Sequence, residues 1–125
     1  MKEIILIGIG GGVGAICRFL LSRSIHLFAG FTFPYGTLVV NILGSFFITF
    51  LSVILIDRIG EWSAELRALL LIGLLGGFTT FSSFSYEVVD LWESGQGIRV
   101  ALYLLLSIVL CIGGAFSGLA IGRKL

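Results

Sequence analysis

Read as apolar and polar positions, the chain falls into four long apolar stretches separated by short clusters of charge. The first follows Lys2 and Glu3 and predicts a helix over about 4–24. No charged residue occurs between Leu27 and Ile56, and Pro34 suits the first turn of a helix placed at about 35–56. A third uncharged run, Ala68 to Tyr86, lies inside a predicted helix over about 63–92, with Ser63 as its cap and Glu65 in its first turn. The fourth predicts a helix over about 98–121, with 23 uncharged residues between Arg99 and Arg123. Each run approaches or exceeds the ~20 residues a helix needs to cross a bilayer. The linkers are short: Asp57 to Trp62, with Trp62 as an interface anchor, and the turn Gly95-Gln96-Gly97. The pattern predicts an all-α membrane protein, one transmembrane domain over 1–125, passing through the cell membrane several times.

Two of the four runs are not uniformly apolar. Along the second, Thr37, Asn41, Ser45 and Thr49 recur every four residues and put a polar stripe on one helix face. Asn41 stands out, because an amide in lipid must find partners, either across to another helix or on a solute. In the third run, Gly76 and Gly77 are followed by an unbroken series of phenyl and hydroxyl side chains, Phe78 to Ser85. A glycine pair weakens a helix, and a Thr or Ser just beyond it can cap a new one. The third helix is therefore expected to break near 76–80. Lipid cannot satisfy the backbone groups that a break exposes, so such breaks are buried in protein or bind an ion or solute. The bland reading is a packing seam with hydroxyls bonded back to their own helix.

Composition removes most other classes. The 125 residues are 58% hydrophobic and only 12% charged, about half the charge of a soluble domain. A net charge of +1 gives no reason to expect nucleic acid as a partner. Gly10 to Ala15 fits a G-x-G-x-x-A dinucleotide turn, but no Asp or Glu follows Glu3 before Asp57, so the ribose partner is missing. The same segment is not a secretory leader, since no cleavage site is followed by a soluble sequence. Its glycines at 8, 10, 12 and 14 instead form two small-xxx-small pairs for close helix packing, as do Gly114, Gly118 and Gly122 on the fourth helix. Cys17 and Cys111 have no metal-ligand spacing and read as small core residues. The lone His26 makes no metal site. Arg18 lies within the first helix, where a charge is either functional or snorkels to the headgroups.

The polar groups at membrane depth are Thr37, Asn41, Thr79, Thr80, Ser82, Ser83, Ser85, Tyr103 and Ser107, the last two at i, i+4 spacing. All donate hydrogen bonds and none is a carboxylate. Interleaved phenyl edges and a helix N-terminus at the break favour a small anion over a cation. No nucleophile–base pair or phosphate loop is present, so no enzyme is expected. Four helices are too few to enclose a pore comfortably, which favours an oligomer. Basic residues divide five (Lys2, Arg58, Arg67, Arg123, Lys124) against three (Arg18, Arg23, Arg99) between the two membrane sides, a weak bias that fixes orientation poorly. A chain that inserts both ways can form an antiparallel pair.

Three blocks together, Gly14 to Arg18, Gly36 to Ser45 and Gly76 to Phe84, resemble the Fluc (CrcB) fluoride channels, and the resemblance spans essentially the whole chain. It implies a dual-topology antiparallel homodimer with two pores that passively export cytoplasmic fluoride and so protect the cell from it. By position, Phe81 and Phe84 match pore phenylalanines and Asn41 the pore asparagine. Tyr103 and Ser107 match polar positions on the fourth helix, and Thr37, Ser83 and Arg18 join the candidate fluoride path. Backbone carbonyls of Gly76 and Thr79 match those that hold a central, structural Na⁺. Glu87 matches an acidic position after the break. The rival is a small proton-coupled multidrug exporter, which wants a carboxylate in the first helix; here only Glu3, at its start, precedes Arg18.

Overall fold

A computed structural model of the chain describes residues 1–58 and 63–125. Every element among them is helical. Helix α1 spans Lys2–Ala29 and α2 spans Tyr35–Arg58. The third span is composite. A single turn, α3 (Ser63–Leu66), leads into a π-helical segment, Arg67–Leu75, and a last turn, α4 (Gly76–Phe78). After an interruption, α5 (Phe81–Glu93) resumes it, and α6 (Gly97–Lys124) is the fourth span. Four helical stretches are long and apolar enough to cross a membrane, as a multi-pass membrane protein requires: Lys2–Ala29, Tyr35–Arg58, Ala64–Glu93 and Gly97–Lys124. The expected anchor Trp62 lies outside the described residues, and Ser63, expected as the cap, is the first residue of α3.

The helices end where backbone chemistry dictates. Past α1, Gly30 adopts φ 85° and its N–H returns to the His26 carbonyl at 2.9 Å. After α5, Gly95 at φ 74° lets the Gln96 N–H reach back to the Leu91 carbonyl at 3.0 Å, a left-handed closure that favours glycine. Arg99 at the start of α6 ties the two loops on that side together, donating to the Thr32 carbonyl at 3.0 Å and to Gln96 Oε1 at 2.6 Å.

Two glycine seams bring the helices to backbone contact. Gly10 and Gly14 of α1 lie against Leu69 to Phe78, and Gly73 and Gly77 reciprocate against Ile7 to Gly11. A methyl group at any of these four positions would overlap main-chain atoms across the seam. Of the two small-xxx-small pairs in α1, only this one is used; nothing lies near a side chain placed at Gly8 or Gly12. The second seam joins α2 to α6, the most extensive helix pair, with Gly114, Gly118 and Gly122 facing Ile42, Phe46 and Phe50. Without a water-driven hydrophobic force in lipid, such close approach is what holds membrane helices together.

Gly76 and Gly77 do not open the third helix. Gly76 keeps helical angles (φ −62°, ψ −39°), and Gly77 serves instead to admit Gly11. The interruption falls at Thr79 (φ −81°, ψ 157°) and Thr80 (φ −151°, ψ 123°), both β-branched and both extended. Ahead of it the helix is also wound differently from the plain α-helix the pattern predicts: the Gly76 N–H reaches the carbonyl of Leu71, five residues back. Two small buried clusters flank the break. Phe33, Leu38, Phe84, Leu91, Val100 and Tyr103 lie on one side, and Leu55, Leu71 and Leu75 on the other.

Candidate functional site

The break is held open by one side chain. Asn41 of α2 donates from Nδ2 to the Thr80 carbonyl at 2.9 Å and accepts the Thr80 N–H on Oδ1 at 2.8 Å. That N–H would otherwise close a helical turn onto the Gly76 carbonyl. Three residues farther on the same diversion recurs, as the Ser83 N–H goes to Thr80 Oγ1 at 3.1 Å rather than to the Thr79 carbonyl. Thr80 is thus the N-cap of α5, and its hydroxyl also contacts Ser83 Oγ at 3.1 Å. Both carbonyls named for sodium by the resemblance, Gly76 and Thr79, are thereby relieved of their i+4 donors. Gly44, one turn beyond Asn41, gives Thr79 its room; a side chain there would strike the Thr79 methyl.

Beside the break lies a cavity of about 410 Å³ between α2, α5 and α6. Asn41, Ser45, Thr79 and Thr80 line one part of it, and Phe81, Phe84, Ser107 and Cys111 the rest. It contains no carboxylate. Ser107 is buried, and its hydroxyl is without a hydrogen-bond partner. A buried donor left unpaired costs about 1–3 kcal/mol, so it is a place where a solute can recover energy. The Phe84 ring is buried and meets Tyr103 edge-on, with centroids 4.9 Å apart. Phe81 sits 5.5 Å from Phe84 but is 79% exposed, directed away from the single chain.

Four residues predicted for the fluoride path stand elsewhere; one of them, Ser83, is turned back onto Thr80 Oγ1 through both its N–H and its hydroxyl and does not line the cavity. The hydroxyls of Thr37 and Tyr103 are spent on Glu87: Thr37 Oγ1 donates to Oε1 and Tyr103 OH to Oε2, each at 2.6 Å. The absence of carboxylates at membrane depth therefore holds for the cavity but not for the helices around it, because α5 turns Glu87 inward onto α2 and α6. Arg18 is half-buried on α1 and does not line the cavity. The polar stripe of α2 is likewise divided in its duties. Thr37 serves Glu87, Asn41 serves the break, Ser45 lines the cavity, and Thr49 donates to the Ala115 carbonyl at 2.7 Å.

Cys111 was not foreseen as a lining residue. Neither cysteine is a buried core residue: Cys17 is exposed and Cys111 half-buried at the cavity wall. The signal was available in the register, since Tyr103, Ser107 and Cys111 continue one i, i+4 face of α6.

Comparison with known proteins agrees with this geometry in extent and kind. A family model described as "CrcB-like protein, Camphor Resistance (CrcB)" matches residues 5–119. A relative from Coxiella burnetii (strain Dugway 5J108-111), named fluoride-specific ion channel FluC, is 46% identical over 123 residues, 98% of this chain and 99% of its own. Proteins of the same name from Agrobacterium fabrum and Geobacter sulfurreducens are 46% and 42% identical over 125 residues. Those alignments cover 100% of this chain, and 99% and 100% of the relatives.

The clamp makes a prediction of its own. Asn41→Leu removes both bonds to Thr80 and orphans two buried backbone groups, at a cost of about 1–3 kcal/mol each. Amide hydrogen exchange at Thr80 is expected to accelerate markedly, while exchange along the α2–α6 seam stays slow. Unchanged protection at Thr80 would show that something other than Asn41 holds the break.

Proposed function

This chain belongs to the CrcB-like family, and on that premise we propose that it is a fluoride-selective channel through which cytoplasmic fluoride leaves the cell passively. The observation that carries the reading is a carboxylate-free cavity beside a broken helix, with the buried Ser107 hydroxyl unpartnered at its wall. Fluoride is small and tightly hydrated, so it enters a protein only where several donors replace its water. Here Ser107 Oγ, the second amide hydrogen of Asn41 and the first free N–H groups of α5 are the donors on offer. The edges of Phe81 and Phe84 carry the positive side of the ring quadrupole and add weak attraction without bulk water. A narrow, rigid lining of this sort rejects larger, more easily dehydrated anions by size. Passive export protects the cell because HF crosses lipid as a neutral acid and dissociates inside, where the trapped anion then needs a path out.

The full assembly in this reading is an antiparallel homodimer with two pores. It is supported by Phe81, whose exposed ring is poised to line a path shared with a second copy, and by the weak five-to-three charge bias. The carbonyls of Gly76 and Thr79, four oxygens from two such chains, suit Na⁺, a monovalent ion that accepts neutral ligands. When bound there it would satisfy backbone dipoles that lipid cannot. A proton-coupled exporter is not favoured, since the only acidic residue of α1 is Glu3, in its first turn.

Three measurements test these statements. Liposomes holding the purified protein are expected to release fluoride rapidly and retain chloride. Ser107→Ala is expected to slow fluoride by about one to two decades, if loss of a donor worth 1–3 kcal/mol falls on the barrier. Equal release of both halides would overturn the selectivity, and full-speed Ser107→Ala would remove that residue from the path. For topology, a single cysteine at the C-terminus in a background lacking Cys17 and Cys111 should react with an impermeant reagent in about half the molecules, as mixed insertion requires. Labelling near zero or near completion would mean one orientation. For sodium, elemental analysis after exhaustive exchange into sodium-free buffer should find one ion per two chains, and none above background would dismiss the site.

A further inference from the structure

The proposed pore contains a thiol that neither the fold nor the break requires. Cys111 lies on the face of α6 that carries Ser107, at the wall of the 410 Å³ cavity, with the Ser45 hydroxyl beside it. It is half-buried and makes no disulfide. What marks this end of the cavity as a place for a ligand is Ser107, only 8% exposed and with its Oγ unpartnered, one helical turn away. A group that enters to meet Ser107 therefore comes within reach of the Cys111 sulfur.

We propose that Cys111 is a covalent modification site for small sulfhydryl-directed electrophiles of the alkyl thiosulfonate class, and that its modification blocks the anion path. The inference rests on the pore reading of this cavity. The chemistry is self-contained. The Cys111 thiol gives its proton to water, and the thiolate attacks the sulfenyl sulfur of the reagent. A protein–reagent S–S bond forms as the S–SO₂ bond breaks, and its electron pair leaves on methanesulfinate. The new alkyl chain projects into the space between Ser107 and Ser45, where it displaces water and offers no donor to fluoride. Sequence reading put both cysteines in the core and gave neither a role; the cavity separates them. Cys17 lies on α1 and lines none of it.

The test treats the full-length protein in liposomes with n-propyl methanethiosulfonate. It reads two quantities, the mass of the Cys111 peptide and the fluoride efflux relative to each variant's own untreated rate. Wild type and Cys17→Ala are expected to gain the adduct at Cys111 and lose about tenfold or more of their flux, as when an apolar plug dewets a pore, with recovery on reduction by dithiothreitol. Cys111→Ser should keep its untreated rate under the reagent. An unmodified Cys111 beside a modified Cys17 would overturn the site. A modified Cys111 with undiminished flux would overturn the block. Should untreated protein carry no fluoride at all, the channel reading falls, while the mass of the Cys111 peptide still decides whether the thiol is reachable.

Discussion

The rest of the site depends on the double hydrogen bond between Asn41 and the backbone of Thr80. A helix that stops in mid-membrane leaves a carbonyl and an N–H without partners, and lipid offers neither donor nor acceptor. An asparagine amide has one of each in a fixed plane, so it can meet both groups of a single extended residue, as a neighbouring strand would. The distances of 2.8 and 2.9 Å show that it does so here. Because the Thr80 N–H is committed sideways, the turn onto Gly76 cannot close. Because Thr80 is extended, its hydroxyl faces forward and caps α5 through Ser83. One side chain on α2 thus sets where the third span ends and where it starts again.

That clamp works only if α2 and the third span are held at a fixed distance, and the glycine seams supply the constraint. α1 lies against the third span at Gly10, Gly14, Gly73 and Gly77, and α6 lies against α2 at Gly114, Gly118 and Gly122. Each contact is main chain to main chain, which leaves little slack for helices to slide. Gly44 closes the set by admitting the Thr79 methyl beside the break. The exposed aliphatic and aromatic residues elsewhere, Phe28 and Phe116 among them, need no such precision, since lipid accepts them in any arrangement. Rigidity is concentrated where an ion of small radius would be measured.

The sequence made the outline of this arrangement legible and hid its fine register. Four spans, the α2 stripe and an interrupted third helix follow from periodicity and charge, because those are local properties of a run of residues. The break falls inside the expected 76–80, with Thr80 as the new cap, but not at the glycines expected to open it. Gly76-Gly77 is the conspicuous helix breaker in one dimension, yet in three dimensions Gly77 is occupied by close approach to Gly11 and stays helical. Thr79 and Thr80 break instead because Asn41, 39 residues away, offers Thr80 a better partner than its own helix does. The π-helical winding of Arg67–Leu75 has no signature in composition that we can identify. Glu87 falls just past the uncharged run that ends at Tyr86 and so was not counted among the polar groups at membrane depth; only tertiary contact reveals Thr37 and Tyr103 reaching for it. Cys111 was overlooked because a thiol counts as apolar in any hydropathy pattern.

Glu87 brings the electrostatics of the site into focus. A carboxylate beside an anion path would repel the ion it is meant to admit, and in a medium of low dielectric that repulsion acts over several ångströms. Its two oxygens each accept a hydroxyl hydrogen at 2.6 Å, one from Thr37 and one from Tyr103. Those two bonds hold the side chain toward α2 and α6, outside the cavity lining. The same bonds withdraw Thr37 and Tyr103 from service to a solute. What remains open is a short set: Ser107, the free amide hydrogen of Asn41 and the leading N–H groups of α5. In the proposed pore, a lining with so few free donors would solvate one small anion at a time and hold it only weakly. Weak holding is what conduction needs, because an ion bound tightly at such a point would not leave.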